Sequence, residues 1–289
     1  MVLIFSLPHS LTNLPEALEK IGHEVVMENN RLRLYDGVYP LKLIEEHKPS
    51  IIYNNLSMVQ VPEGDYLYIG NSVASARLEN EKWETRWKAE EIGFKLPRVL
   101  EECTMNKINN FYTEAVYLKP KSVDKVQSAW KIPQGFQVKE LGFKNHPAYV
   151  EENVKAEVAA KCRFTISNGS YQIEHVSGRI YDGEDKLPHS HVQEEYLAWT
   201  SIGDWVDLPQ KIHAKFLDLC TRWLDYVVTL GGNYSGEIEA GVVGEDIYWF
   251  EQNCRRITYG KFYGDAQTWL DSLTIDPAKA LEVEWVYEK

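Results

Sequence analysis

Short apolar runs alternate with amphipathic stretches in the first quarter of the chain. "LIFSL" (3–7), "HEVVM" (23–27), "SIIYNN" (50–55) and "YLYIGNS" (66–72) read as strands. Between them, "LPEALEKIG" and "LKLIEEHKP" read as helices, with Pro15 suited to a first turn and Gly22 to a stop. Strand–helix alternation at this spacing predicts a small parallel α/β unit over about residues 1–72. Ser6, His9, Asn54 and Asn55 fall at its strand ends, where open α/β sheets hold ligands.

Beyond that unit the pattern changes. "ARLENEKWETRWKAEEIGFKLP" (76–97) predicts one charged helix ending near Gly93, with most of its charges in solvent. "AVYLKP" (115–120) is a strand that ends on a lysine, and "AYVEENV" (148–154) one that ends on paired glutamates. Residues 157–181 predict a hairpin turning at Asn168-Gly169. In 209–232, Ile212, Phe216, Leu219, Trp223, Tyr226 and Leu230 recur at helical spacing and mark a core stripe. Trp83, Trp87 and Trp223 read as packing residues. A second hairpin, "NYSGEIEAGVVGEDIYWFEQN", turns near Gly244.

The end of that hairpin changes the picture. Strand alternation puts Ile247, Trp249, Glu251 and Asn253 on one face, and Glu237 with Glu239 on one face of the partner strand. Carboxylates gathered beside an amide are expensive unless a cation sits among them. A set of Glu239, Glu251 and Asn253, with Glu237 as an alternative on the same face, is all oxygen and suits magnesium. Arg255 and Arg256 follow at once and suit anionic oxygens. Lys161 and Arg163 alternate with Glu157 and either line an anion site or form cross-strand ion pairs. Lys186, His189 and His191 lie in a polar loop.

Composition narrows the classes. The 289 residues are 44% hydrophobic, enough for a large core and about two domains. A net charge of −12 disfavours free nucleic acid as the main ligand. No apolar run approaches the ~20 residues that span a bilayer. Cys103, Cys162, Cys220 and Cys254 are scattered without zinc spacing, and the start reads as a strand, so a cytoplasmic protein with reduced thiols is expected. Neither a P-loop motif nor a strand-linked G-x-G-x-x-G occurs.

Taken together and in order, these elements resemble the ATP-grasp superfamily. "GEIEAGVVGEDIYWFEQNCRR" resembles its metal-binding hairpin, "NEKWETRWKAEEIGFKLP" its early helix, "VYLKP" its phosphate-contacting strand and "YVEENVKAEV" its hinge. The resemblance spans residues ~75–256 and implies a pre-ATP-grasp domain at 1–72 and an ATP-grasp domain at 73–289, the latter split into 73–147 and 148–289 with nucleotide between them. It implies that Lys82 and Lys119 contact ATP phosphates, and that Glu151, Glu152 and Val154 hold adenine with Glu157 on the ribose. It also implies Mg2+ on Glu239, Glu251 and Asn253, with Arg255 and Lys119 at the reacting phosphate. The implied activity is ATP- and Mg-dependent ligation of a carboxylate to an amine through an acyl phosphate, on an amino acid, peptide end or other small metabolite. Dimers are common among such proteins. One departure stands out. The segment after Lys119, "KPKSVDKVQSAWKIPQG", has no glycine before Gly135, whereas the family folds a glycine-rich loop over phosphate there. A kinase-like protein or a nucleotide binder without catalysis therefore stays open as an alternative.

Overall fold

The computed structural model describes residues 1–6, 13–56, 59–122, 130–132, 145–181, 202–253, 261–262, 266–267 and 285–286. His9, Lys186, His189, His191, Cys254, Arg255 and Arg256 lie outside the described residues.

The first unit runs β1 (Val2–Phe5), α1 (Leu14–Lys20), β2 (Val25–Glu28), α2 (Arg31–Leu34), α3 (Tyr39–His47), β3 (Ile51–Asn54) and β4 (Leu67–Asn71). All its strand pairs are parallel, in the order β4-β3-β1-β2. Alternation sends Val2 and Ile4 to one face, against Leu14 and Leu18. Leu3 and Phe5 go to the other, against Leu34, Leu43 and Ile52. Both faces are therefore covered, as a parallel sheet requires.

Two helices follow, α4 (Val73–Asn80) and α5 (Lys82–Ile92). The single helix expected over 76–97 is broken at Glu81, whose ψ of 67° leaves the helical region. Nothing in the residue types there announces the break. Ser72 caps α4 by accepting a bond from the Ser75 amide. Gly93, at a φ of 116°, ends α5 in the left-handed region and turns the chain back.

A small antiparallel sheet comes next, from β5 (Val99–Thr104), β6 (Val116–Pro120), β7 (Trp130–Ile132) and β8 (Pro147–Glu152), ordered β5-β8-β6-β7. The larger sheet holds β9 (Val158–Ser167), β10 (Ser170–Tyr181), β11 (Ile202–Val206), β12 (Gly232–Val243) and β13 (Asp246–Asn253). Asn168 and Gly169 both take positive φ, the two-residue turn expected between β9 and β10. The start of β12 pairs with β4 at Gly232↔Asn71 and Asn233↔Gly70, so the parallel and antiparallel strands form one nine-stranded sheet. A pair of two-residue strands, β14 (Lys261–Phe262) and β15 (Trp285–Val286), completes the described elements.

The main core lies between this sheet and α6 (Gln210–Val228). Ile212, Phe216, Leu219 and Trp223 are buried as the helical stripe predicts, while Tyr226 and Leu230 pack at its margin. Trp223 is fully buried, with its ring centroid 4.4 Å from that of Trp249. An aromatic side chain of this kind removes roughly 150–250 Å² from water, about 4–6 kcal/mol of transfer free energy before ordering costs. No helix among the described residues is long and apolar enough to cross a membrane.

Candidate functional site

The face-sharing expected for the last strand is corrected by a β-bulge. Glu239 stands opposite Glu251, but the next residue, Ala240, stands opposite Trp249, so Phe250 is extra. The bulge reverses the alternation. Ile247, Trp249 and Gln252 face the core, and the Trp223 indole N–H donates to the Gln252 amide oxygen there. Glu251 and Asn253 are thereby turned to the opposite face from Trp249. Gly241 makes room for the extra residue, since a Cβ at that position would lie 2.3 Å from the Phe250 ring.

On that opposite face three strands present a polar row. Arg163 of β9, Glu237 of β12 and Asn253 of β13 are in register, and beside them Lys161, Glu239 and Glu251. Lys161 donates to Glu239 at 2.7 Å and lies 3.5 Å from Glu237, and Arg163 donates to Glu237 at 2.7 Å. The cross-strand ion pairs weighed for Lys161 and Arg163 are therefore formed. The Asn253 amide donates to Glu251 at 3.4 Å.

Helix α5 is tied to both sheets. The amide of Lys95, just past Gly93, donates to Ile247, and its carbonyl accepts from Trp249, stitching the end of the helix to β13. The Trp83 amide donates to the carbonyl of Lys121, fixing the start of the helix beside the end of β6. Lys82 is accordingly not solvated with its helix neighbours. It is 8% exposed and donates to the Glu251 carboxylate. Lys119, at the end of β6, pairs with Glu151 on the adjacent β8, both nearly inaccessible. Five nominated residues, Lys82, Lys119, Glu151, Glu239 and Glu251, thus belong to three ion-pair groups, which Glu251 links through its charge interactions with Lys119 and Glu239.

The remaining nominated residues stand apart. Glu152 accepts from the Arg98 amide at 2.9 Å. Val154 is half-buried, with its carbonyl accepting from the Ala156 amide. The Glu157 side chain is exposed, although its amide donates to Val242 and anchors the start of β9 on β12.

Electrostatics distinguishes the two opposed carboxylates. Burial would raise the pKa of Glu251, but Lys82 and Lys119 outweigh it and hold the group at about 2. Burial raises that of Glu239, and Glu251 and Glu237 add repulsion that Lys161 only partly offsets. The Tyr149 phenol is pushed far up by burial and by Glu151.

Among the described residues, no three His, Cys, Asp or Glu side chains gather in a metal-holding cluster. The oxygens of Glu239, Glu251 and Asn253 still fit a magnesium ion, which takes few protein ligands and keeps waters or phosphate oxygens. The Glu239–Glu251 opposition is the kind of arrangement a dication relieves.

Sequence reasoning missed Arg86. It lies one turn from Lys82 on α5, and that spacing is the signal that would have placed it on the same face. Its guanidinium is buried, stacks over Trp83, Trp87 and Tyr149 at 5.2–5.6 Å and donates to the Pro97 carbonyl. It braces α5 against β8, which carries Glu151.

The sequence matches no family model and no curated protein. The fold does match solved structures. An L-amino acid ligase from Bacillus licheniformis superposes with a TM-score of 0.62 at 12% identity, over 99% of this chain and 77% of that one. Phosphoribosylamine–glycine ligase from Thermotoga maritima gives 0.58 at 18% identity, over 94% and 74%. A biotin carboxylase–ATP complex from Campylobacter jejuni gives 0.56 at 12% identity over 88% of this chain, which spans 65% of its length. These neighbours are ATP-grasp proteins, and the chain has the ATP-grasp fold.

Proposed function

We propose that the protein is an ATP- and magnesium-dependent ligase that joins a carboxylate to an amine or similar nucleophile, acting on an amino acid, a peptide end or another small metabolite. The carrying observation is that Lys82 of α5 pairs with Glu251, which stands opposite Glu239 in the larger sheet, while the charge of Lys119 from the smaller sheet acts on the same Glu251 carboxylate. The structural neighbours named as ligases support the general kind of reaction.

The reaction would proceed through an acyl phosphate. A carboxylate oxygen attacks the γ-phosphorus of ATP and ADP departs. The amine nitrogen then attacks the acyl carbon, the C–O bond to phosphate breaks, and the amine proton passes to solvent. Such chemistry asks the protein for positioning and charge neutralisation rather than a covalent nucleophile. Lys82 and Lys119 neutralise phosphate oxygens, and Glu151 with the backbone at Val154 holds the base beside β8. Glu239, Glu251 and Asn253 would hold magnesium, which supplies charge dispersal on the transferring phosphate. Arg255, outside the described residues, is assigned to the acyl phosphate, and Glu157 to the ribose.

A second reading, nucleotide binding without ligation, is favoured by one feature: no glycine occurs between Lys119 and Gly135 to let backbone amides close over phosphate. ADP release is the discriminating assay. Wild type is incubated with ATP, magnesium and paired amino acids or other carboxylates and amines, and products are read by mass. A ligase gives ADP, phosphate and a condensed product. A kinase gives a phosphorylated product, and a binder gives no ADP with any mixture.

A further inference from the structure

Two residues assigned to different ligands are paired with each other. Lys82 is placed for nucleotide phosphate and Glu251 for the metal, yet their side chains are ion-paired. Lys82 is 8% exposed, so it is packed in place rather than swinging in solvent. The same holds around it. Lys119 is committed to Glu151, Lys161 to Glu239 and Glu237, and Arg163 to Glu237. Around the polar row, three carboxylates, Glu237, Glu239 and Glu251, face three cations, Lys82, Lys161 and Arg163. Among the described residues this face is charge-balanced, and a dication arriving alone meets an ammonium already seated on Glu251.

Resting on the assignment above, we infer that the Lys82–Glu251 ion pair is an exchange switch that couples the two ligands: nucleotide phosphate draws Lys82 off Glu251 and so creates the metal site. The coupling is a linkage between binding sites and is reciprocal. Nucleotide raises metal affinity, and metal, by occupying Glu251, leaves Lys82 to the phosphates. The pair thereby guards against metal binding at an empty nucleotide cleft. Position along the chain supports a designed contact rather than a chance one. Lys82 begins a helix whose far end is stitched to β13 by the two Lys95 backbone bonds, so the helix and the strand carrying Glu251 are held as one piece.

The test is Mn2+ binding by calorimetry to the full chain, without nucleotide, for wild type, Lys82→Met and the more conservative Lys82→Gln. Circular dichroism and melting temperature report whether each variant is folded. With the switch, both variants bind Mn2+ more tightly than wild type, by a factor on the order of 5–150, the usual range of coupling between sites. Adding ADP, with its own Mn2+ affinity accounted for, then strengthens Mn2+ binding to wild type more than to either variant. If folded Lys82→Gln binds Mn2+ no more tightly than wild type while ADP still strengthens binding in both, the inference is overturned and the metal site stands. If neither protein binds Mn2+ with or without ADP, the metal assignment itself falls and the inference falls with it.

Discussion

Glu239 and Glu251 stand directly opposite each other on neighbouring antiparallel strands, and their surroundings push them in opposite directions. Lys82 and Lys119 hold Glu251 ionised, whereas burial and two nearby carboxylates raise Glu239. A pH dependence follows for Glu251. Its folded pKa, about 2, lies below its ordinary 4.5. Its contribution to stability is therefore present above that ordinary value and is lost as pH falls toward about 2. Glu251→Gln should unfold about 1.5–3 kcal/mol more easily than wild type at neutral pH, the worth of a hydrogen bond to a charged group. The deficit should shrink across the window between those two values. Urea unfolding at a series of pH values measures it, and a deficit that stays constant into acid would contradict the assignment.

Glu239 carries the opposite sign. A folded pKa raised above the unfolded value gives stability at low pH that is lost as pH rises through it. Replacement by Gln should therefore become relatively more favourable as pH rises past the ordinary carboxylate range. The same urea series measures the trend, and a reverse trend would show that Lys161 dominates instead.

The Lys119–Glu151 pair is the most enclosed ion pair of the site, with side chains 10% and 4% exposed. Removing one partner from such a pair leaves a buried charge uncompensated and costs roughly 3–5 kcal/mol. Lys119→Met should lose that much, and Lys119→Met combined with Glu151→Gln should recover most of it. Denaturant unfolding of the single and double variants decides. Equal losses in both would mean that the pair contributes through packing alone.

How much of this was legible beforehand depends on which physical signal carried each element. The α6 core stripe and the hairpin turns were readable because helical periodicity and Asn-Gly or Gly turns leave direct marks. Glu237 and Glu239 were expected across from Glu251 and Asn253 and do face that pair, but the register counted from the turn at Gly244 alone would set Glu239 opposite Phe250, and it is the bulge that brings it opposite Glu251. The bulge at Phe250 was not readable, since an extra residue leaves the composition of the strand unchanged while reversing every side chain beyond it. Lys82 and Arg86 looked like part of a solvated helix face, because burial of a charged residue is decided by partners far along the chain. Lys82 and Glu251 are 169 positions apart. Strand β5 was missed because Glu101 and Glu102 interrupt its apolar pattern.

The bulge itself is open to test through Gly241. Alanine there would place a Cβ 2.3 Å from Phe250 and 3.0 Å from the Ala156 methyl, so the ring must move. Gly241→Ala should cost about 1–3 kcal/mol, the usual range for overpacking. Adding Phe250→Ala removes the obstruction, and the double variant should be less destabilised than the two single losses added together. Strict additivity in a denaturant double-mutant cycle would mean that the two residues do not meet.

The central claim, that this polar face binds nucleotide and metal, is tested most directly by melting wild type and Glu251→Gln alone, with magnesium, with ATP and with both. A ligand that binds only the native state raises the melting temperature with the logarithm of its saturation. The account predicts a rise of several degrees for wild type with ATP plus magnesium, larger than with either alone, and a much weaker response from Glu251→Gln. A wild type whose melting temperature does not move under any of these conditions, or a variant that responds as fully as wild type, would contradict it.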